Sequence, residues 1–298
     1  MIHLFLSFII LITCTFAEGK EPYQSPSKKS LLIGLIPEQN VFRQIERYTP
    51  IADYLSAKTG MNVRLKVLTR YGNIVDNFVS LELDGAFFGS FTYVLAHMKL
   101  DVEVLARPEA VDGTSTYHGI IFVRKDSGIK GVREMKGKRF VFVDKATTAG
   151  FLFPLVYFEK QGVKNYKTHF KETYFAGTHK DAIYDVLNRK ADIGAAKNTA
   201  FQEMAQRDAR VSLELQILTR SPDVPENALA VRKSLDASVQ EAIRGALLNM
   251  HTDPAGQLVL KDFGARKFIV TTEKEYDPVI EFAREIKLDM AGYDYMNE

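Results

Sequence analysis

Residues 81–94 read LELDGAFFGSFTYV, and residues 188–201 read NRKADIGAAKNTAF. The two stretches share one plan. A polar helix end meets an acidic residue (Asp84, Asp192), then a short strand of small apolar residues, then a polar residue that opens the next helix (Ser90, Asn198). A strand running straight into a helix is the joint of an α/β unit. In open α/β sheets, ligands bind outside the carboxyl ends of the strands. Each half of the chain therefore places one strand end and one helix start toward a common cleft. Such starts suit anions, because the first N–H groups of a helix lack intrahelical partners and its dipole favours negative charge there.

Working outward, SLLIGLIP (30–37) reads as a strand stopped by Pro37. VFRQIERYTPIADYLSAKTG (41–60) reads as a helix ended by Gly60, NVRLKVL (62–68) as a strand and YGNIVDNFVSLEL (71–83) as a helix. With DGAFFG (84–89) and SFTYVLAHMK (90–99) the order is βαβαβα, an α/β unit around a largely parallel sheet. A second unit begins with the strand TYHGIIFVRKDSG (116–128), the short helix GVREMKGK (131–138) and the strand RFVFVDK (139–145). It continues with a helix over 148–162, a strand over 168–177 and a helix over 179–190. A strand over 191–197 and a helix over 198–207 follow, then strands over 213–221 and 227–233. From Ser234 the chain reads as mainly helical, with the charge alternation of solvated helix faces.

The 298-residue length suits roughly two domains, and 46% hydrophobic residues suffices for a buried core. The net charge of +2 leaves no electrostatic footprint for nucleic acid or for a polybasic membrane contact. The first 17 residues carry no Lys, Arg, Asp or Glu, and an apolar run from Leu4 to Ile12 leads to Thr15-Phe16-Ala17. That run is too short to span a bilayer but fits the core of a secretory signal, so cleavage after Ala17 and a periplasmic or otherwise extracytoplasmic location are expected. Residues 18–29 read as a linker. The lone cysteine, Cys14, lies inside the signal. LITC resembles a lipoprotein attachment site, which makes a lipid anchor the alternative to cleavage. A chain cleaved after Ala17 has no disulfide and no thiolate chemistry.

VDKATTAGFLFP (143–154) turns a strand into a helix through Thr147, Thr148, Ala149 and Gly150. Small residues let an oxyanion reach the helix donors, and threonine hydroxyls add more; a plain helix cap uses the same residues. His179 opens a helix after Gly177-Thr178 and fits either an oxyanion donor or a capping histidine. Tyr71 and Ser90 sit at strand–helix junctions and are cleft candidates, with core edge and cap as their alternatives. Tyr117 lies at a crossover, as a cleft wall or a packed hinge residue. Lys197 and Asn198, at the second repeated strand end, complete the candidates, although lysines are usually solvated. The six histidines form no H-E-x-x-H, and no G-x-S-x-G or P-loop occurs. No catalytic residue, cofactor or metal is expected.

The ordered segments RYGNIVDNF (70–78), DGAFFGS (84–90), 116–154, AGTHKDAIYDVLNRKADIGAAKNT (176–199) and SPDVPENALAVRKSL (221–235) resemble the phosphate/phosphite/phosphonate-binding proteins of ABC transporters. The resemblance runs from about Leu31 to Thr272. It implies an α/β, two-lobed periplasmic-binding-protein fold (type II-like), each lobe a mixed sheet flanked by helices, joined by two crossover strands. The implied layout is lobe 1 from 30–118 and 225–298, and lobe 2 from 119–224. The family's Ser-Thr-Ser-Gly anion loop falls on Thr147, Thr148, Ala149 and Gly150, its ligand-contacting histidine on His179 and its first-lobe tyrosine on Tyr71.

Two departures stand out. Ala149 lacks the loop's third hydroxyl, and Phe88 replaces a possible tyrosine. Where a relative that takes aminoethylphosphonate supplies acidic groups, this chain has Lys197 and Asn198, so a cationic aminoalkyl ligand is disfavoured. The resemblance implies an extracytoplasmic monomer that captures a small oxyanion (phosphonate, phosphite or phosphate type) for an ABC importer permease, and no nucleic-acid partner. Presentation of the closed form to a membrane sensor, or an enzyme acting on a phosphorylated small molecule, are the alternatives.

Overall fold

The computed structural model describes residues 30–38 and 40–297. The signal segment, the linker and Cys14 lie outside the described residues. The chain enters through β1 (Ser30–Leu35), β2 (Asn62–Val67), β3 (Gly85–Phe88) and β4 (Val102–Ala110), then passes through β5 (Thr116–Tyr117). It builds β6 (Gly119–Arg124), β7 (Arg139–Phe142), β8 (Glu172–Phe175), β9 (Ile193–Lys197) and β10 (Leu215–Arg220). It returns through β11 (Val224–Pro225) to β12 (Ala228–Arg232) and β13 (Ala265–Val270).

These strands form two mixed sheets and one ribbon. The first sheet has the order β13-β4-β12-β3-β1-β2, the second β10-β6-β9-β7-β8, and β5 pairs with β11 between them. β1 runs parallel to β2 and β3, whereas β12 comes back antiparallel to β3, with Ala228 opposite Phe88. In the second sheet β7 runs parallel to β8 and β9, and β6 is antiparallel to β9. In the ribbon, Val224 faces Tyr117 and Pro225 faces Thr116. The repeated plan found in the sequence corresponds to β3 and β9, each entirely buried. Its acids do the same work twice. Asp84 accepts from the Leu32 N–H of β1 and pairs with Arg232, and Asp192 accepts from the Arg139 N–H of β7 and pairs with its guanidinium.

The helix Val41–Thr59 shows how local chemistry sets the frame. Asn40 caps its start by accepting from the Phe42 N–H, and Gly60 ends it with a left-handed φ of 70°. Tyr48, Ile51 and Leu55 pack it against the first sheet. The second lobe is held by a cluster of rings including Phe140, Phe142, Phe151, Phe158 and Phe170. Five of these pairs have ring centres 4.5–5.3 Å apart, a geometry that adds about 0.5–1.5 kcal/mol per pair beyond area burial.

Several expected elements differ. The helix expected over 148–162 is a π turn, Thr148–Leu152, followed by an α-helix, Phe153–Lys160. Pro154 has no N–H for the carbonyl of Gly150, which accepts instead from Val143 N at 3.1 Å. The strand expected over 168–177 splits into a helical turn, Tyr166–His169, and β8. β4 fills 102–110, for which the sequence reading has no element, and β13 interrupts the expected helical C-terminus. Among the described residues no helix is long and apolar enough to cross a membrane.

Candidate functional site

The carboxyl ends of β2, β3, β7, β8 and β9 point at one small pocket, as the α/β rule requires. It is lined by Tyr71 from the loop after β2, by Ser90 at the start of helix Ser90–Leu100, and by Thr147, Thr148 and Ala149 at the π turn. Tyr117 from β5, His179 at the start of helix His179–Leu187, Lys197 from the end of β9, and Glu38 and Asn227 complete the polar wall. Both sheets and the ribbon thus contribute. The free space is about 10 Å³, room for about one water molecule.

The hydroxyls divide into committed and uncommitted ones. Thr147 Oγ1 donates to the Asp144 carbonyl at 2.6 Å, so its proton faces the protein. Ser90 Oγ bonds the Pro225 carbonyl at 2.7 Å and the Tyr117 hydroxyl at 3.0 Å. A carbonyl only accepts, so Ser90 donates to Pro225 and Tyr117 donates to Ser90. Among the described residues, three buried groups on the wall have no hydrogen-bond partner: Tyr71 Oη, Thr148 Oγ1 and Asn227 Nδ2. Thr148 lies near enough to Tyr117 to favour that phenol's ionised form, and Asn227 near enough to Glu38 to favour its carboxylate, but neither Thr148 Oγ1 nor Asn227 Nδ2 makes a hydrogen bond of good geometry. Leaving such a group unmatched costs about 1–3 kcal/mol. Neither threonine caps the turn, since Thr147 at the cap position makes no side-chain cap bond.

Charge is arranged around the pocket so that its donors are neutral. Burial, helped by the Lys197 ammonium, drives His179 down to about 3, so the ring is uncharged at neutral pH. Its Nδ1 accepts from the Lys197 N–H at 3.2 Å, which makes Nε2 the ring's donor. Lys197 pairs with Glu226 and, at 3.4 Å, with Glu38. Burial alone would raise the Glu38 carboxyl; Lys197 and Arg47 outweigh it and hold the group below the ordinary carboxylate value. Burial raises Asp144, whose carboxylate accepts from Ala146 N at 2.8 Å and from Asn297 Nδ2 at 2.9 Å. The C-terminal residues thereby brace the turn that carries Thr147 and Thr148.

Two candidates stand off the pocket wall. A Cβ on Gly150 would run into the Val143 side chain, so this glycine serves the tight packing of the turn on β7. Asn198 turns its Oδ1 to the His118 N–H at 3.0 Å; neighbours along a strand end point to opposite faces, and Lys197 takes the cleft side. The sequence reading passed over Glu38, Glu226 and Asn227. Its expectation that acidic groups are missing beside Lys197 is corrected: two carboxylates stand there, brought from the loop after β1 and from the return through β11. Their signal in the sequence is a polar Glu-Asn pair between the crossover proline and an apolar strand. A larger cavity of about 740 Å³ lies outside the pocket and shares Glu38, His179, Lys197 and Asn227 with it. Among the described residues no group of three His, Cys, Asp or Glu is placed to hold a metal.

The family of periplasmic substrate-binding proteins of phosphonate ABC transporters matches residues 33–276. The chain is 26% identical over 262 residues to the phosphonates-binding periplasmic protein of Escherichia coli, covering 86% of this chain and 76% of the relative. A binding-protein component of an ABC phosphonate transporter from Pseudomonas aeruginosa superposes with a TM-score of 0.80 at 20% identity, covering 87% of each chain. PhnD1 of Prochlorococcus marinus, solved in complex with methylphosphonate, superposes with a TM-score of 0.77 at 23% identity, covering 87% of this chain and 98% of PhnD1. The two superpositions establish the periplasmic-binding-protein fold.

Proposed function

The chain belongs to the family of periplasmic substrate-binding proteins of phosphonate ABC transporters, and from that premise we propose that it captures a small phosphorus oxyanion (phosphonate, phosphite or phosphate) between two hinged lobes and delivers it to an ABC importer. The observation that carries the reading is the convergence on one pocket of Tyr71 Oη, Thr148 Oγ1 and Asn227 Nδ2, three buried groups with no hydrogen-bond partner among the described residues. Tetrahedral oxygens would satisfy all three, together with His179 Nε2 and the N–H groups at the starts of helices Ser90–Leu100 and His179–Leu187. Recognition then rests on neutral, fixed donors, since the pocket's one ammonium is already matched by carboxylates. Ala149 contributes backbone only. Ser90, Tyr117 and Thr147 act as walls whose hydroxyls hold the hinge and the turn in place.

Residues 30–118 with 225–298 form one lobe and 119–224 the other, pivoting on the β5–β11 ribbon. The pocket is walled by residues of both lobes and holds space for about one water, so the lobes must part to admit a tetrahedral anion and close less tightly around it than around the empty pocket. Binding, not turnover, is the reading that this donor set supports. The methylphosphonate complex of PhnD1 supports the ligand class. The family works outside the cytoplasm, and cleavage after Ala17 would release the mature chain from Glu18. A thermal-shift screen of phosphate, phosphite, methylphosphonate, sulfate and acetate tests the proposal. A phosphorus oxyanion at about 100 times its dissociation constant should add roughly 2.7 kcal/mol of stability; a shift with acetate alone, or with none of the five, would contradict it.

A further inference from the structure

The Lys197 ammonium is buried in a ring of groups chosen for a cation. Glu226 is in direct ion-pair contact, Glu38 Oε1 lies at 3.4 Å, Asn227 Oδ1 at 3.5 Å, and the Tyr117 ring centre at 4.3 Å. Two carboxylates, a carboxamide oxygen and an aromatic face are what a desolvated alkylammonium needs for recognition. Nothing in that set requires the ammonium to be tethered to the chain. The cage also stands where a ligand substituent must pass: Glu38, Lys197 and Asn227 border both the anion pocket and the larger outer cavity.

We infer that Lys197 is the specificity-determining residue for the substituent on the oxyanion: its own ammonium fills an alkylammonium cage at the edge of the anion pocket and shuts out aminoalkyl ligands. A second ammonium brought to this place would meet Lys197 at contact range with its carboxylates already taken, a repulsion that discriminates against it. The two acids are partly buried, and without Lys197 only Arg47 remains to offset Glu38, so the cage favours a replacement cation. The cage and its occupant therefore form an exchangeable pair. The identity of the anion rests on the oxyanion reading above, but the cage does not.

Lys197→Ala should empty the cage. For the wild type, calorimetric titration should show ethylphosphonate binding at least about tenfold tighter than 2-aminoethylphosphonate, the scale of one charged hydrogen bond. In Lys197→Ala the preference should invert. Ethylammonium should raise the melting temperature of Lys197→Ala saturably and leave the wild type unmoved. An unchanged preference in the variant, or a wild type that takes both phosphonates equally, would overturn the inference. Should Lys197→Ala fail to fold, Lys197→Ala/Glu226→Gln removes the carboxylate that was in direct contact with the lost ammonium and leaves Glu38 with Arg47. Its preference for 2-aminoethylphosphonate must still rise at least about tenfold over the wild type, and a smaller change counts against the cage. If no phosphorus compound binds the wild type, the oxyanion reading fails by itself and the ethylammonium response alone decides the cage.

Discussion

The backbone N–H of Lys197 donates to Nδ1 of His179 at 3.2 Å, so one strand residue fixes the tautomer of a ring on a neighbouring helix. The consequence is a neutral imidazole whose remaining N–H is a donor on the pocket wall. The same residue's ammonium, together with burial, keeps the ring from taking a proton. An imidazolium would bind an anion more strongly but would titrate. The arrangement instead gives a donor of constant charge across the physiological range.

That arrangement has a pH signature. His179 is held down to about 3 in the folded chain, against about 6.5 when unfolded. Its contribution is fully present above pH 6.5 and is lost as pH falls, because the unfolded chain takes up a proton that the folded one refuses. The loss is about 1.4 kcal/mol per pH unit below 6.5. Glu38, held below its ordinary carboxylate value, adds to the loss only at lower pH. Urea melts of the wild type and His179→Gln at pH 7, 6 and 5 should diverge in slope, by about half that amount between pH 7 and 6 and by nearly all of it between pH 6 and 5. Parallel slopes would mean that the ring takes up a proton as readily in the folded chain as in the unfolded one.

Thr147 and its neighbour should respond differently to the same change. Thr147→Val removes the bond to the Asp144 carbonyl and should cost about 1 kcal/mol of stability. Thermal melts at neutral pH would show it. A variant as stable as the wild type would mean that the turn does not depend on that hydroxyl.

Gly150→Ala should be worse than its size suggests. The added methyl meets the Val143 side chain and, at 2.8 Å, Thr147 Oγ1. Overpacking of this kind costs about 1–3 kcal/mol, and it displaces the turn that carries Thr148. Both the melting temperature and the affinity for methylphosphonate are expected to fall. Unchanged affinity in a destabilised variant would separate the turn from the site.

The sequence carried the elements that face the pocket more clearly than the frame behind them. β3 and β9 were legible because both faces are buried and their small residues run straight into helix starts. β4 and β13 were not, because Arg107, Glu109, Arg266 and Lys267 give them the charge pattern of a solvated surface. In the fold Arg107 is buried against Thr271 and Glu275, and Arg266 and Lys267 pair with Glu109 across the two strands. Within the site, residue type identified the hydroxyls but not their commitments. Ser90 gives its proton to Pro225, which is 135 positions away in the chain, and no local pattern encodes that. Asn227 and Glu38 arrive from chain segments whose meeting depends on the crossover ribbon, so long-range topology alone reveals them.

Thr148→Val separates a ligand-binding hydroxyl from a structural one. The threonine hydroxyl is buried with no hydrogen-bond partner among the described residues, so its removal should leave stability intact or slightly raised. A hydrogen bond to a charged ligand contributes about 1.5–3 kcal/mol, so affinity should fall by about tenfold or more. Calorimetric titration of methylphosphonate into wild type and variant, with thermal melts of both, reads the two effects together. One-site binding to the wild type, a dissociation constant at least about tenfold higher for the variant, and an undiminished melting temperature are expected. Equal dissociation constants for the two proteins would place the oxyanion elsewhere and contradict the account.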